Sequence, residues 1–247
     1  MSDSTPVPKR LRPTLHAIGR VAESLRAPAY AVGGCVRDWL LGLNAIEDLD
    51  VTVEGSGIDV AGAAARALGG TVAVHQQFGT ATVGLTQPVA LRVDFATCRN
   101  ETYAKPGAYP RVAPGTLEED LFRRDFAINA MAVALSPARF GQLVDPFHGA
   151  EDLARKRLRI LHARSFLDDP SRILRGARLA HRFGLTWDPQ TSRALQQALA
   201  SGALGWLNAG RVRKELARMR QEPDGPGCLR ALRVLVGEAR FQELARG

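Results

Sequence analysis

The chain lacks the features that mark membrane-spanning, secreted and zinc-bound proteins. No run of apolar residues approaches the roughly 18 that a membrane-spanning helix needs. The segment Met1–Pro13 is polar and carries prolines, without the apolar stretch of a signal peptide. The three cysteines, Cys35, Cys98 and Cys228, are odd in number and far apart. They argue against a disulfide framework or a zinc site and predict a protein of the reducing cytoplasm.

Lysine is scarce as well. Only four of the 33 basic residues are lysines, and the other 29 are arginines. Set against 25 acidic residues, these give the chain a net charge of +8. Arginine makes bidentate contacts with phosphates and base edges, so this balance favours a polyanionic partner. A genome rich in G and C would explain the ratio of arginine to lysine equally well. It explains the excess of positive charge less well.

Strand and helix patterns alternate over the first part of the chain. Residues 1–13 are predicted to form a flexible tail. The mixture of strand and helix patterns predicts an α/β (α+β) domain over residues 14–150, in which helices pack on a sheet. The predicted helices are Leu11–Leu25 and Val60–Leu68, and the predicted strands are Ala29–Val32, Leu49–Val53, Thr71–His75, Ala81–Leu85 and Ala90–Ala96.

The second part of the chain has a different pattern. Arg99–Gly115 contains three prolines and no apolar periodicity, which predicts a long loop. Strand signals cease after Asp145-Pro146, and an all-α domain is predicted for residues 151–247. Its predicted helices are Pro170–Phe183, Pro189–Leu199, Arg211–Gln221 and Cys228–Leu244.

One segment combines a glycine turn with two carboxylates. A strand leads into Gly33-Gly34, a short amphipathic helix carries Arg37, and a second strand carries Asp48 and Asp50. Residues i and i+2 of a strand leave the same face, so these carboxylates repel unless a cation lies between them. Mg2+ takes oxygen ligands from carboxylates and phosphates, and a glycine turn at a helix start offers N–H groups to an anion. Metal-bound phosphate chemistry is therefore the first hypothesis.

Asp94 is the candidate for a third carboxylate. It alternates with Val93 and Phe95 along a strand and so lies on the opposite face from both. A solvated sheet face is the alternative explanation for this residue.

A second cluster lies within Glu119–Met131. On a helix, Arg123 and Arg124 would point in different directions, so that one can hold phosphates while the other pairs with Asp120 or Asp125. Asp125 and Asn129 are four residues apart, which on a helix places them on one face where they can hydrogen-bond a sugar or backbone groups. Taken alone, this cluster is better explained by capping and surface ion pairs.

A third cluster begins at Asp168. Asp169 is a natural N-cap residue, with Pro170 as the first helical position. An aspartate beside an arginine offers an acceptor next to a donor fork, which matches the edge of a nucleobase. The arginines of this helix share one face without acids at i±4, and a basic surface face is the alternative explanation. They are Arg172, Arg175, Arg178 and Arg182.

Together the clusters resemble the class II tRNA nucleotidyltransferase and bacterial poly(A) polymerase family, which belongs to the polymerase-β-like nucleotidyltransferases. The motifs occur in the order of the family over roughly residues 28–220. The resemblance implies a nucleotidyltransferase head domain followed by an all-α neck domain. The motifs are Gly33-Gly-x-Val-Arg-Asp38 with Asp48-x-Asp50, Arg123-Arg-Asp-Phe-x-Ile-Asn-Ala130, Gly149-x-Glu-Asp-Leu153 and Asp168-Asp-Pro-x-Arg172-x-Leu-Arg175.

The resemblance also implies roles for the matched positions. Asp48 and Asp50 would bind two Mg2+ ions, and Asp94, chosen from the strand pattern, is the candidate for a further catalytic carboxylate. Asp169 and Arg172 would read the base of ATP or CTP in place of a nucleic-acid template. The activity would add CMP, AMP or both to the 3′ end of tRNA or another RNA. The nucleotide would be bound by Gly33, Gly34, Arg37, Arg124, Asp125, Asn129, Asp169, Arg172, Arg175 and Arg178.

The loop Arg99–Gly115 corresponds to a flexible loop that the family associates with addition of the terminal A. Its presence favours CCA-adding or A-adding activity over addition of CC alone. Poly(A) synthesis is the second hypothesis, since it uses the same head and neck. An RNA-binding relic without catalysis is the third, and the intact pair Asp48 and Asp50 argues against it.

Three departures from the family pattern bear on these expectations. Asp168 occupies a position where the family usually has Glu, and Gly210 replaces the usual Glu before Arg211. The chain stops at Gly247, whereas family members continue into helical body and tail domains. A naturally compact enzyme is slightly favoured over a truncated fragment. It would recruit RNA by its basic surface or by forming a homo-oligomer.

Overall fold

The structure is a computed structural model that describes residues 5–43, 48–86 and 90–246, with the backbone alone for Asp48. By its internal contacts the chain divides into two compact units. The sheet unit comprises Met1–Asn100, Val112–Arg124 and Ile128–Ala150, and the helical unit comprises Glu101–Arg111, Asp125–Ala127 and Glu151–Gly247. The helical unit therefore includes a short segment, residues 101–111, that lies in sequence between two parts of the sheet unit.

The structure describes nine strands within the first 150 residues, and most of them belong to one mixed sheet. They are β1 (Ala29–Val32), β2 (Asp48–Val53), β3 (Thr71–His75), β4 (Thr80–Leu85), β5 (Leu91–Thr97), β6 (Arg99–Thr102), β7 (Arg111–Pro114), β8 (Ala132–Ala134) and β9 (Leu143–Val144). Seven of them form one sheet in the order β3-β4-β5-β2-β1-β8-β9, and β6 pairs with β7. Within the large sheet β2 and β5 are parallel, while the other neighbours are antiparallel.

Alternation along β2 and β5 separates a buried face from an open one. Leu49, Val51 and Phe95 are at most 1% exposed and belong to a core that also contains residues of the helices packed on the sheet. The register pairs Asp50 with Asp94 on the other face. The helices of this part of the chain are α1 (Arg12–Ser24), α2 (Gly34–Leu40), α3 (Gly57–Leu68), α4 (Leu117–Phe122) and α5 (Gly149–Ala154).

The helical unit packs around three aromatic side chains. The ring centroids of Phe126, Phe166 and Trp187 lie 6.2–6.3 Å from one another. A Cβ on Gly176 would lie 2.8 Å from the Phe126 ring, so a glycine is needed for its helix to pack there. The elements are β10 (Arg157–Leu158), α6 (Ser165–Asp168), α7 (Ser171–Phe183), β11 (Thr186–Trp187), α8 (Pro189–Ala200), α9 (Ala209–Arg220), α10 (Gly225–Val236) and α11 (Glu238–Arg246). No helix among the described residues is long and apolar enough to cross a membrane.

The predicted order of a mixed sheet followed by helices is confirmed. Ala29–Val32 and Thr71–His75 have the predicted bounds, and the other three predicted strands differ by one residue at one or both ends. The prediction of a long loop over the whole of Arg99–Gly115 is wrong, because β6 and β7 lie within it. Both strands are short and partly or fully exposed. They pair through the main chain and bury no apolar face, so the sequence carries no strand periodicity there.

Two predictions for the second half are also wrong. Strand structure does not cease after Asp145-Pro146, since β10 and β11 pair in parallel; two-residue strands are too short to leave a pattern. Cys228–Leu244 is not one helix, because Gly237 lies between α10 and α11 with φ +82°, a value that glycine readily adopts.

The predicted flexible tail at residues 1–13 is packed wherever the structure describes it. Val7 and Leu11 are 1% and 0% exposed and belong to the core of the sheet unit. Lys9–Leu11 forms a short 3-10 helix that leads into α1. The apolar residues there are isolated among prolines and basic residues, so no helical period was visible. Residues 1–4 lie outside the described part of the chain.

Candidate functional site

β1 ends in a turn that depends on glycine. Gly33 has φ +78°, in the range that side chains disfavour, and its N–H donates to the Met131 carbonyl over 3.1 Å. A Cβ on Gly33 would lie 2.7 Å from Nη1 of Arg124. Any side chain at Gly33 would therefore displace this guanidinium group.

Arg37, on α2, is held by two polar side chains. It is 6% exposed. Its Nη1 donates to Oδ1 of Asn129 over 2.6 Å, and its Nε donates to Oδ1 of Asp38 over 2.9 Å. A Cβ on Gly34 would lie 3.5 Å from its Nη2. Two guanidinium groups thus flank the Gly33-Gly34 turn, an arrangement suited to phosphate oxygens.

Asp120 holds both arginines of the second cluster. It is fully buried in α4, whose first turn is fixed by a capping box between Thr116 and Glu119. Nη2 of Arg123 donates to Oδ1 of Asp120 over 2.7 Å, and Nη2 of Arg124 donates to its Oδ2 over 2.9 Å. The sequence predicted different directions for the two arginines. Because α4 ends just before them, both side chains return to the same carboxylate.

The charge of Asp120 is stabilised by these contacts. Burial alone would raise its pKa, but the guanidinium groups of Arg124 and Arg123 outweigh burial and hold the pKa below its usual range. Asp120 binds Arg124 through Nη2, whereas the atom beside Gly33 is Nη1. The carboxylate therefore anchors Arg124 from the side away from the turn.

Asp50 and Asp94 lie side by side on the open face of the sheet. The register places them opposite each other and places Asp48 opposite Arg92. Oδ1 of Asp94 accepts a 2.5 Å hydrogen bond from Oγ1 of Thr82, and Arg92 lies 3.2 Å from its Oδ2. Asp94 is therefore partly neutralised by its own neighbours, while Asp50 is exposed.

The Asp50 carboxylate acts electrostatically on the start of α2. Burial and then the negative charge of Asp50 raise the pKa of the Cys35 thiol to about 12. The register of β1 with β2 pairs Ala31 with Val51, so Asp50 lies level with the end of β1, next to the glycine turn.

The described carboxylates beside the Gly33-Gly34 turn are suitable ligands for a hard cation. Carboxylate oxygens beside a phosphate-binding turn are ligands that Mg2+ prefers. Among the described side chains, no group of three or more His, Cys, Asp or Glu residues is arranged to hold a metal. The side chain of Asp48 lies outside that description. Its backbone places it two residues before Asp50 on the same strand.

Asp125 and Asn129 do not share a helix face, and that prediction is wrong. Only Ala127–Asn129 is helical here, as a 3-10 turn. Oδ1 of Asp125 accepts the N–H of Phe126 over 2.8 Å, while Asn129 accepts from Arg37. This contact between Asp125 and the next backbone N–H competes with a regular helix.

In the helical unit, Asp169 receives several donors. The N–H and Oγ of Ser171 donate to its Oδ1 over 3.0 and 2.6 Å, and Nη2 of Arg211 donates to the same oxygen. α7 begins at Ser171 with Pro170 in the N-cap position. The helix thus begins one residue later than predicted. The Asp169 carboxylate, two residues before the helix start, accepts the N–H of the first helical residue.

Arg172 lies beside Asp169 in the first turn of α7. It is 3% exposed, and its Nη1 donates to Oγ of Ser165 over 2.6 Å. Its Nε is 4.0 Å from Oδ2 of Asp169. The Asp169 carboxylate and the Arg172 guanidinium group, which the sequence predicted to act together, are therefore neighbours in the structure.

The remaining arginines of α7 are paired with acids that are distant in sequence. Arg175 donates to Asp125 over 3.1 Å and to Glu215 over 3.5 Å, and Arg178 donates to Glu222 over 2.7 Å. Burial lowers the pKa of Arg175, but Asp125 and Glu215 outweigh burial and raise it.

The lack of acids along α7 was therefore misleading. Glu215 and Glu222 come from α9 and the residues after it, and the only hint of them was the segment Arg211-Val-Arg-Lys-Glu215. Contact of Arg175 and Arg178 with a nucleotide stays a prediction.

The sequence profile of the poly A polymerase head domain matches residues 29–159 of this chain. An A-adding tRNA nucleotidyltransferase of Halalkalibacterium halodurans is 44% identical over 214 residues, which cover 85% of this chain and 49% of that protein. A CC-adding tRNA nucleotidyltransferase of Deinococcus radiodurans is 41% identical over 206 residues, which cover 83% of this chain and 52% of that protein. The chain thus spans about half the length of these relatives.

Solved structures of CCA-adding enzymes are similar over nearly the whole chain. An apo form is 37% identical with a TM-score of 0.86, and the match covers 96% of this chain and 54% of that one. The complex of a CCA-adding enzyme with ATP is 35% identical with a TM-score of 0.82, and the match covers 93% and 52%. The likeness therefore extends beyond the matched head domain into the helices that follow.

Replacement of the buried Asp120 tests its role as the anchor of both arginines. Asp120→Asn should lower the free energy of unfolding by about 3 kcal/mol, because two partly buried guanidinium groups lose their counter-charge. Urea denaturation followed by circular dichroism measures the change. As a control, Glu118→Gln removes an exposed acid from the same helix and should change the free energy by no more than about 0.5 kcal/mol.

The pH dependence distinguishes this ion-pair role from a packing defect. The pKa of Asp120 is depressed in the folded chain. Its contribution is therefore fully present above the unfolded value of about 4 and is lost as the pH falls through the folded value. The difference between wild type and variant should shrink on acidification below about pH 4. A difference that does not change with pH would contradict the role assigned to Asp120.

Proposed function

The chain belongs to the poly A polymerase head-domain family, and on that premise we propose that it adds nucleotides to the 3′ end of tRNA. One observation carries the proposal: a glycine turn flanked by two guanidinium groups meets a strand carboxylate. Arg124 lies against Gly33 and Arg37 against Gly34, and the register of β1 with β2 brings Asp50 level with the end of β1, next to the turn. The relatives that are named tRNA nucleotidyltransferases supply the substrate class.

The two arginines are the proposed ligands of the triphosphate. Arg37 is oriented by Asn129 and Arg124 by Asp120, so neither guanidinium group has to be ordered when the nucleotide arrives. Donors fixed in advance stabilise developing charge better than mobile ones. Gly33 and Gly34 present no side chain between the phosphates and these donors.

Asp48 and Asp50 are the proposed holders of two Mg2+ ions. When bound, such ions stabilise both the attacking 3′-oxygen of the RNA and the leaving pyrophosphate. Asp94 would support Asp50 from the neighbouring strand, with its own charge reduced by Arg92 and Thr82. Its proposed part is therefore electrostatic rather than that of a primary ligand.

Asp169 and Arg172 are the proposed readers of the incoming base. Adenine and cytosine both carry an exocyclic amino donor, whereas guanine and uracil carry a carbonyl acceptor at the corresponding position. An ionised Asp169 can accept only from the amino group, and Arg172 can donate only to a ring nitrogen or carbonyl. This combination favours CTP and ATP over UTP and GTP.

The proposed partners are nucleoside triphosphates and tRNA in the cytoplasm. The net charge of +8, carried mostly by arginine, agrees with an RNA partner. Cys35, Cys98 and Cys228 are free, which agrees with a reducing compartment.

The proposed reaction leaves open which nucleotides are added: A alone, CC or the whole CCA end. The A-adding and CC-adding relatives are almost equally similar, at 44% and 41% identity, so identity does not choose between them. The segment Arg99–Gly115 supports addition of A or CCA. Labelled ATP and CTP should be tested on tRNAs that end before CCA, after the first C and after CC. Products longer than a complete CCA end would identify a poly(A) polymerase, and no incorporation on any tRNA would contradict the proposal.

Asp50→Asn tests the carboxylate. It should reduce incorporation at least a hundredfold, since loss of even an outer-shell partner costs 10- to about 100-fold at metal sites. Asp50 is exposed, so the melting temperature should stay unchanged. Glu23→Gln, which alters an exposed acid of α1, is the matched control. Activity near that of the wild type in the Asp50 variant would exclude the proposed mechanism.

Asp169→Ala and Arg172→Ala test base reading. Both should reduce the preference for CTP and ATP over UTP and GTP by about tenfold or more, because a mismatched polar pair is no longer penalised. The overall rate of phosphoryl transfer should fall less than the preference does. Steady-state competition between nucleotides measures the ratio, with Arg193→Ala on the exposed face of α8 as control. Full selectivity in both variants would refute the assignment.

A further inference from the structure

We propose that Tyr109, Trp206, Asn208 and Arg211 form an aromatic platform on which an unpaired base of the RNA 3′ strand stacks. The inference deepens the proposed function and depends on it, because it names a binding site for the RNA substrate. All four residues belong to the helical unit. Tyr109 is 72% exposed and Trp206 is 40% exposed.

The segment that carries Tyr109 is held in place by two contacts of Gly107. The N–H of Gly107 donates to the Leu167 carbonyl over 2.9 Å. Gly107 has φ +70°, and a Cβ on it would lie 2.8 Å from Cβ of Trp206. The backbone therefore packs directly on Trp206, two residues before Tyr109.

The Tyr109 ring is held in place although most of its surface is exposed. Nδ2 of Asn208 donates to the Tyr109 hydroxyl over 3.0 Å, and Oδ1 of the same amide accepts the N–H of Arg211 over 2.9 Å. The Arg211 guanidinium carbon lies 5.8 Å from the centre of the Tyr109 ring. Asn208 thus caps α9 and fixes the ring at once. A ring ordered in advance loses little entropy when a base stacks on it.

The chemistry of this surface matches single-stranded RNA. Proteins that bind unpaired nucleotides combine exposed aromatic rings with guanidinium planes, and every base has a π face to stack on them. Lys105 and Arg111 flank Tyr109, and residues 102–111 contain no acid. The phosphates that join stacked bases would therefore meet positive charge on either side of the ring.

The platform adjoins the residue proposed to read the incoming base. Nη2 of Arg211 donates to Oδ1 of Asp169, while the same side chain lies over Tyr109. A base stacked on the platform would therefore lie one side chain away from Asp169. This is where the end of the growing RNA has to be when the next nucleotide is selected, so the 3′-terminal strand is the part of the RNA that fits.

The test measures the affinity of the full chain for a fluorescein-labelled single-stranded RNA ending in CC, by fluorescence anisotropy at fixed salt. Tyr109→Ala and Trp206→Ala should each weaken binding about tenfold, the usual effect of losing one stacking ring. Tyr109→Phe keeps the ring but loses the hydroxyl that Asn208 holds, and it should weaken binding less than Tyr109→Ala does. Tyr109→Leu keeps apolar area without a π face and should bind like the alanine variant. Phe78→Ala removes a ring that is 64% exposed in the sheet unit and is the matched control.

A second measurement reports stacking itself. RNA should quench tryptophan fluorescence in the wild type, and Trp206→Phe should abolish most of the quenching while circular dichroism stays unchanged. Wild-type affinity in both alanine variants, or affinity preserved in Tyr109→Leu, would overturn the platform and indicate an anchoring or protein-binding role for the ring. Loss of transfer in Asp50→Asn together with unchanged RNA affinity in Tyr109→Ala would refute the platform alone. Absence of transfer by the wild-type chain would refute the proposed function instead.

Discussion

The ion pairs of the buried Asp120 fix the arginine that lies beside the glycine turn of the sheet unit. One carboxylate faces two guanidinium groups, those of Arg123 and Arg124, in a fully buried position. The pair with Arg124 fixes that side chain against Gly33, where the absence of a Cβ leaves room for it. The conformation of the glycine turn and the position of the arginine are therefore mutually dependent, since a change in either would displace the other.

The same principle, a long cationic side chain positioned by an acid from another element, recurs in the helical unit. Arg175 is shared between Asp125 and Glu215, and Arg178 is bound to Glu222. These contacts join α7 to α9 and to the residues beyond it. An arginine-rich chain of this kind uses many of its basic groups to connect its own elements. The number of arginines alone therefore overstates the charge that is available to a polyanion.

Much of the fold could be predicted because its elements have strong local patterns. The alternation in β2 and β5 and the helical period in α7 and α8 are properties of a few neighbouring residues. The glycine turn, Arg37, Asp50 and the Asp169–Arg172 pair were likewise identified by motifs with fixed spacing. The prediction was wrong where strands bury no apolar face and where a charge is paired by a distant acid. The ribbon of β6 and β7 has no buried face, and the acids that pair with α7 lie about 40 residues away from it. No local window of sequence contains that information.

The balance of charge indicates where a triphosphate can bind. Around Arg175 the nearby acids match the guanidinium charge, so an anion would gain little there and would first have to displace Asp125 or Glu215. At Asp120 the guanidinium groups of Arg123 and Arg124 share one carboxylate, and Nη1 of Arg124 also lies beside Gly33. A cation that is already held in position binds phosphate without the cost of ordering its side chain. This difference supports the proposed binding of the triphosphate in the sheet unit, whereas Arg175 and Arg178 are held by acids of their own unit.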